Sequence, residues 1–229
     1  MDNLKKITFL EEDYFEIARE SMVSAQLIPF GVNHPGLLKA FLAIPREMFL
    51  EEPDRQIAYA EFLKTSPLRG FFLPPHFLGR LLQEATLDGQ GKALIIGGGE
   101  GYSAAILSSL MSIVFLLETH QHLIMRAETH MKTLGIDNVF PVAGCLEQGL
   151  PGNASYDLIL IEGAVEEIPT AVLNQVAIGG VLLTFLRHHA TVKEAVSLRR
   201  VKGGWKEKII FQGNVPVLQA FAVEKEMTF

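Results

Sequence analysis

The chain has 229 residues, of which 48% are hydrophobic and 20% charged, as is typical of a globular protein with a well-filled core. Its net charge of −6 argues against nucleic acid or an anionic membrane as a partner. The single cysteine, Cys145, cannot form an internal disulfide, which favours a reducing, cytoplasmic compartment.

The first part of the chain predicts a helical cap over residues 1–88. Apolar residues recur at three- and four-residue spacing from Phe15 to about Leu63, with Asn33 as a helix N-cap before Pro35. The segment from Thr65 to Phe77 is interrupted by proline and glycine and predicts a connection. Helical spacing then returns in "FLGRLLQEATL".

Residues 89–229 predict an α/β domain. Apolar strands such as "ALIIG", "IVFLLE" and "YDLILIEGA" alternate with helices such as "HQHLIMRAETHMKTLG" and "EEIPTAVLNQV". This alternation indicates a mostly parallel sheet with helices on both faces. The stretch "AAILSSLMSIVFLL" is too short and too polar for a membrane span and predicts a helix followed by a strand. The tail "AVSLRRVKGGWKEKIIF" predicts an antiparallel hairpin, with Trp205 packing across it.

A glycine-rich loop joins the first strand of this domain to its first helix. Gly97, Gly98, Gly99 and Gly101 permit a tight turn and a close approach of bare backbone to a ligand, and the helix begins near Tyr102. Glu118 ends the next strand 21 positions after Gly97, where an acid that holds ribose hydroxyls is expected. Together these features predict a nucleotide-type ligand.

Two cofactors fit this loop. The dinucleotide pattern G-x-G-x-x-G would need a third glycine at position 102, which is Tyr102. The observed G-x-G-x-G spacing is the form found in enzymes that bind S-adenosylmethionine. A tight turn that binds nothing is the simpler alternative for the loop taken alone.

Several motifs in order resemble the protein-L-isoaspartate O-methyltransferase family. "MVSAQL" is similar to that family's "MV..QL", "AIPREMFL" to its "vPRe.Fv", and "GGGEGYSAAIL" to its "GTGSGYQAAVL". "YDLILIEGAVEEIP" with "LNQVAIGGVLL" matches its fourth and fifth strands. The resemblance covers most of the chain and implies a Rossmann-like methyltransferase fold.

The resemblance also implies the ligands. These are S-adenosylmethionine as cofactor, S-adenosylhomocysteine as product, and a protein or peptide whose isoaspartyl carboxylate accepts the methyl group. The implied cofactor residues are Gly97, Gly98, Gly99, Glu100, Gly101, Tyr102, Glu118, Thr119, Gly144 and Cys145. The implied substrate residues are Leu73, Pro75 and Glu162.

The chain departs from the family pattern at five positions in or near this site. Leu73 replaces the hydroxyl residue beside the reacting carboxylate, Ile95 an acid in the first strand, and Cys145 an aspartate near adenine. Glu100 replaces a small loop residue and could repel the methionine carboxylate or attract the ammonium or sulfonium. Glu162 replaces a hydroxyl residue. A different methyl acceptor, or a non-catalytic binding module, therefore remains an alternative, and no catalytic residue is assigned.

Some residues have simpler explanations than chemistry. Cys145 has no base beside it in the sequence and is expected to be a small buried residue. His188 and His189 show no metal-ligand spacing, so no metal is predicted. Arg46 is expected to be an ion-pair partner in the cap more than a substrate clamp. The apolar segment from Phe71 to Leu73 is expected to form a lid over the cofactor pocket or a surface that binds an apolar acceptor or a partner.

Overall fold

The structure is a computed structural model that describes residues 13–61, 64–66, 70–187 and 193–222. For residues 64–66, 70 and 71 it describes the backbone alone. Within these ranges, no helix is both long enough and apolar enough to cross a membrane.

The N-terminal part forms the predicted helical cap. Helix α1 covers residues 13–22 and continues as a π-helical turn over Val23–Leu27. The remaining cap elements are α2 (Pro35–Ala43), 3₁₀ turns at Arg46–Phe49 and Asp54–Ile57, strands β1 (Lys64–Ser66) and β2 (Gly70–Phe72), and α3 (Pro75–Leu82). The expected connection from Thr65 to Phe77 thus holds most of a small hairpin and the start of α3, because prolines at positions 74 and 75 suit a helix start.

The N-cap residue of helix α2 differs from the prediction. His34, and not Asn33, is the N-cap residue: its backbone is extended, and its ring Nδ1 accepts a hydrogen bond from the Leu37 backbone N–H at 3.1 Å. The Asn33 backbone N–H instead donates to the side chain of Gln83 at 3.1 Å. An imidazole nitrogen here performs the role that an amide oxygen usually performs.

The C-terminal part is built on a seven-stranded sheet in the order β5-β4-β3-β6-β7-β8-β9. Its strands are β3 (Lys92–Ile96), β4 (Ile113–Glu118), β5 (Val139–Ala143), β6 (Tyr156–Val165), β7 (Val176–Leu186), β8 (Lys193–Val201) and β9 (Gly204–Gly213). The first five pair in parallel, and β8 and β9 form the predicted antiparallel hairpin. Trp205 lies opposite Arg200 on this hairpin, and the Arg200 guanidinium lies over its ring at 6.0 Å, so it packs across the hairpin as predicted.

Three helices connect the parallel strands. α4 (Tyr102–Ser108) and α5 (Gln121–Leu134) follow β3 and β4. α5 ends at Gly135, whose φ of 67° suits the left-handed cap predicted there. α6 (Thr170–Leu173) is a single turn, shorter than the helix predicted from residue 166.

The apolar interior has two parts, one on each face of the sheet. The larger part joins the cap to the face covered by α4 and α5, through residues such as Phe41, Leu81, Ala105 and Leu116. The smaller part lies on the other face, under α6 and short turns, around Ile96, Ile159 and Val172. The cap also packs against the start of α4, because Phe41, Phe49 and Phe72 contact Tyr102, the residue that follows the glycine loop.

Candidate cofactor site

The glycine loop lies where the strand order reverses. β3 pairs with β4 on one side and with β6 on the other, and the loop follows the carboxyl end of β3. Crevices at such positions are where open α/β sheets bind their ligands. The topology therefore places the predicted motif at the expected edge of the sheet.

Three glycines of the loop have left-handed backbones. The φ angles of Gly97, Gly99 and Gly101 are 74°, 58° and 96°. Gly101 N–H donates to the Gly98 carbonyl at 3.1 Å, and Gly101 is the N-cap residue of α4. Residues other than glycine rarely adopt such φ angles, so the turn that the backbone makes explains the G-x-G-x-G spacing of the loop.

Gly98 is required for a different reason, because its neighbours leave no room. A Cβ atom at Gly98 would lie 2.6 Å from Ile95 Cγ2 and 2.8 Å from Leu116 Cδ1. The loop therefore lies directly on the sheet. The isoleucine at position 95, which replaces an acid of the family pattern, is part of that contact.

Glu118 holds the loop through main-chain hydrogen bonds. Its Oε1 accepts from the Gly99 N–H at 2.6 Å, and its Oε2 accepts from the Thr119 N–H at 3.2 Å. The side chain is 5% exposed. Burial raises the pKa of this carboxyl, and the two backbone donors oppose the rise.

The neighbouring strand end brings two further predicted residues to Glu118. The Gly144 N–H donates to the Glu118 carbonyl at 2.9 Å, and Cys145 follows at the start of a 3₁₀ turn. Cys145 is exposed, so the expectation that it is buried was wrong. Glu118, Thr119, Gly144 and Cys145 thus lie close together at the ends of β4 and β5.

These residues fit an adenosyl cofactor. The Glu118 oxygens keep lone pairs beyond the two that accept backbone hydrogens, so they can also accept from ribose hydroxyls. The left-handed glycines leave bare main chain where the remainder of the ligand would lie. Among the described residues, no cluster of three or more His, Cys, Asp or Glu side chains could hold a metal ion. His188 and His189 lie outside them.

Glu100 does not contribute to the crevice as the sequence suggested it could. Its carboxylate contacts α5, with Oε1 3.4 Å from Arg126 Nη1 and Oε2 3.1 Å from His130 Nε2. Arg126 also pairs with Glu51 of the cap at 2.6 Å. Glu100 therefore ties the loop to α5 and, through Arg126, to the cap.

Tyr102 is a contact of the cap and not of the crevice. The ring is 1% exposed and packs edge-on against Phe41 and Phe49 and in a tilted arrangement against Phe72. Burial raises its pKa to about 12. Its hydroxyl has no hydrogen-bond partner among the described residues.

Glu162 lies on the other side of the loop from Glu118. It follows Ile161, which pairs with Ile96 at the end of β3, and its carboxyl accepts a hydrogen bond from the Ser103 hydroxyl. Glu162 is 3% exposed, and burial raises its pKa to about 7. Sequence reasoning missed Ser103; its place in the first turn of the helix after the loop was the available signal.

Arg46 and Leu73 form a structural contact. Arg46 Nε donates to the Ala58 carbonyl and Nη2 to the Leu73 carbonyl, each at 2.8 Å, and the guanidinium lies over the Phe72 ring at 3.9 Å. Among the described residues Arg46 makes no ion pair, so that part of the prediction was wrong. Because it donates to carbonyl groups of two different cap segments, Arg46 holds these segments together.

The segment that carries Leu73 faces inward. Leu73 is 1% exposed and belongs to the larger core, and Pro75 begins α3. Neither Leu73 nor the half-buried Phe72 supplies the open apolar surface that the sequence allowed. The Phe71 side chain lies outside the described part of the structure.

The fold and this site agree with a family comparison. The model of the family described as Protein-L-isoaspartate(D-aspartate) O-methyltransferase matches residues 18–211. This chain belongs to the protein-L-isoaspartate O-methyltransferase family. The match runs from the cap to the C-terminal hairpin, so it includes every residue of the site described above.

Individual members of the family support the same assignment. A protein-L-isoaspartate O-methyltransferase of Koribacter versatilis is 34% identical over 166 residues, covering 72% of this chain and 75% of that protein. One from Synechococcus sp. is 34% identical, covering 75% of this chain and 70% of that protein.

Solved structures show the same fold. A protein-L-isoaspartate O-methyltransferase structure superposes with a TM-score of 0.77 at 24% identity, covering 87% of this chain and 65% of that one. A Plasmodium falciparum protein in complex with S-adenosyl-L-homocysteine superposes with a TM-score of 0.74 at 17% identity, covering 90% of this chain and 98% of that one.

Proposed function

We propose that the protein transfers a methyl group from S-adenosylmethionine to a carboxylate of a protein or peptide, with isoaspartyl residues as the acceptors. The observation that carries this proposal is the glycine loop held by Glu118 at the reversal of strand order, in a member of this family. The single exposed Cys145 supports a reducing, cytoplasmic location.

The roles of the residues follow from their positions. The cofactor supplies, when bound, an electrophilic methyl group on a sulfonium sulfur. Glu118 would accept hydrogen bonds from its ribose hydroxyls, and Gly97 and Gly99 would let the main chain approach it closely. Thr119, Gly144 and Cys145 would border its adenine.

The acceptor needs little acid or base assistance. A carboxylate is already ionised at neutral pH, so the protein has to position it and exclude water. Phe72 and Leu73, packed inward under Arg46, would help to exclude water from the crevice. We place the acceptor near Pro75, at the start of α3.

Methyl transfer tests the proposal directly. Methyl-labelled S-adenosylmethionine is incubated with an isoaspartyl peptide, or with the same peptide carrying aspartate. We expect label only in the first peptide, and roughly a tenfold or larger loss of rate in Glu118→Ala, since about 1.4 kcal/mol of binding corresponds to tenfold. Glu207→Ala, which removes an exposed carboxylate from β9, should leave the rate unchanged.

Failure can be interpreted with a binding measurement. If neither peptide is labelled and S-adenosylhomocysteine does not bind, the proposed function is wrong. If S-adenosylhomocysteine binds but neither peptide is labelled, a different acceptor is favoured. The burial of Leu73 in place of a hydroxyl residue supports that alternative.

A further inference from the structure

Glu162 is a buried carboxyl group that the protein leaves almost without partners. We propose that Glu162 is the anionic partner of the positively charged groups at the methionine end of the cofactor. This inference rests on the proposed function. It assigns to Glu162 a role that the sequence had offered to Glu100, in place of the substrate contact that the family resemblance implies for Glu162.

The position of Glu162 brings its carboxyl to the glycine loop. Because Ile161 pairs with Ile96, Glu162 stands level with Gly97, the first residue of the loop. The carboxyl oxygen Oε2 is 3.2 Å from where a Cβ atom of Gly98 would lie. A ligand that lies along the loop, with its ribose at Glu118, would extend towards this carboxyl.

The hydrogen bonding of Glu162 is incomplete. Among the described residues, the Ser103 hydroxyl is its only hydrogen-bond donor, although a carboxylate has about four acceptor sites. A carboxyl that is 3% exposed is costly to ionise without further partners. Glu118, in contrast, accepts two backbone hydrogen bonds.

The charged groups around Glu162 do not supply the missing partner. Arg46, in the cap turn, is the nearby cation, and its charge favours ionisation of Glu162. None of its nitrogens hydrogen-bonds Glu162: Nε and Nη2 donate to the carbonyl groups of Ala58 and Leu73, and Nη1 has no partner among the described residues. Glu118, at the end of β4, is a second acid and opposes ionisation. From α4, Tyr102 presents a neutral hydroxyl, and Glu100 is paired with Arg126 and His130 of α5.

The cofactor offers the complementary charge. Its methionine end has an ammonium group next to a carboxylate, and before transfer it also has a sulfonium. The ammonium and the sulfonium are the groups that complement Glu162. A cation beside Glu162 favours the ionised form, so a carboxyl that holds its proton near neutral pH would release it when the ligand binds. Binding of the charged end and ionisation of Glu162 are therefore coupled.

Calorimetry of the whole chain with three ligands tests this coupling. S-adenosylmethionine has both positive groups, S-adenosylhomocysteine has only the ammonium, and 5′-methylthioadenosine has neither. From pH 6 to pH 8, we expect roughly tenfold tighter binding of the first two, because the ionised fraction of a group titrating near pH 7 rises by about that factor. The affinity for 5′-methylthioadenosine should change by less than about twofold.

Proton release separates Glu162 from other groups. Titrations at pH 7 in two buffers of different ionisation enthalpy should show release of a fraction of a proton with S-adenosylhomocysteine and none with 5′-methylthioadenosine. Glu162→Gln should abolish that release and weaken S-adenosylhomocysteine by roughly tenfold, while 5′-methylthioadenosine binds as before. A greater effect on S-adenosylmethionine than on S-adenosylhomocysteine would place the sulfonium, and not only the ammonium, at Glu162.

Several outcomes would overturn the inference. Unchanged proton release in Glu162→Gln would assign the titration elsewhere, and equal pH dependence for all three ligands would exclude the methionine end. If Glu162→Gln does not fold, the comparison of ligands on the unmodified chain decides alone. Absence of binding by all three ligands would instead remove the proposed function, and this inference with it.

Discussion

Two carboxyl groups on opposite sides of the glycine loop differ in how the protein surrounds them. Glu118 accepts two main-chain hydrogen bonds, whereas Glu162 accepts one from Ser103. Backbone donors cannot leave, so Glu118 is fixed in position whether or not a ligand is present. Glu162 is the residue of the pair whose charge can respond to what binds.

Leu73 supports a prediction about the missing hydroxyl. We expect Leu73→Ser to lower the free energy of unfolding by about 3 kcal/mol, because it removes a buried leucine side chain from the larger core and buries a hydroxyl. Urea unfolding followed by circular dichroism measures this change.

Leu73→Met is the matched control and should cost less than about 1.5 kcal/mol. If Leu73→Ser is as stable as the unmodified chain, the segment from Phe72 to Pro75 does not pack inward in solution. The family hydroxyl could then be restored by a single substitution.

At the residue scale, the sequence predicted backbone requirements better than side-chain directions. The glycines and Glu118 could be predicted because a left-handed turn admits few residue types and because the spacing to the second strand is fixed by the fold. The direction of Glu100 could not, because its partners Arg126 and His130 lie 26 and 30 positions further along the chain.

The glycine loop is the element on which the proposed cofactor binding depends, and a substitution at Gly98 tests this dependence. A Cβ atom there would approach Ile95 and Leu116 within 3 Å, so Gly98→Ala must push the loop away from the sheet. We expect a loss of about 1 to 3 kcal/mol in unfolding free energy and a clear loss of S-adenosylhomocysteine affinity. Thermal unfolding and calorimetry measure the two effects.

Gly152 provides the control for this substitution. It lies in the 3₁₀ turn at Pro151–Asn153, has no atom within 4 Å of its Cβ position, and does not have a left-handed backbone. Gly152→Ala should leave both measurements unchanged. Equal behaviour of the two variants would contradict the close contact of the loop with the sheet.

At the scale of elements, the alternation of strands and helices was correctly predicted from residue 92 onwards. Strands buried on both faces are apolar throughout, and Gly135 marks the end of α5. The prediction was wrong where a tertiary contact decides the outcome. α6 stops after one turn at Asn174, and Gln175, which hydrogen-bonds the backbone of Gln148 and Leu150, belongs to the packing of that region.

For the whole molecule, Glu162 predicts how stability depends on pH. Burial raises its pKa from 4.5 to about 7, so the folded chain retains a proton that the unfolded chain loses between these values. This contribution to stability is fully present below the unfolded pKa and is lost as the pH rises through the folded pKa. The unmodified chain should therefore lose stability relative to Glu162→Gln as the pH rises. From pH 5 to pH 8, the difference between their free energies of unfolding should shift by about 2 kcal/mol in favour of Glu162→Gln.

Urea unfolding at pH 5 and pH 8, without cofactor, measures this difference. Glu207→Gln, on the exposed surface of β9, should follow the unmodified chain at both pH values. If Glu162→Gln follows it as well, Glu162 ionises in the folded state as easily as in water. Glu162→Gln is thus expected to increase stability at neutral pH and to weaken cofactor binding.

The core that the cap shares with the α4 and α5 face of the sheet limits how the crevice can open. A rigid-body rotation of the cap away from the sheet would expose buried apolar side chains such as Phe41 and Leu81 to water, which is energetically unfavourable. We therefore expect ligands to reach the glycine loop without a rigid-body movement of the cap. The cap and the sheet would then behave as one rigid unit around the cofactor site, without a hinge between them.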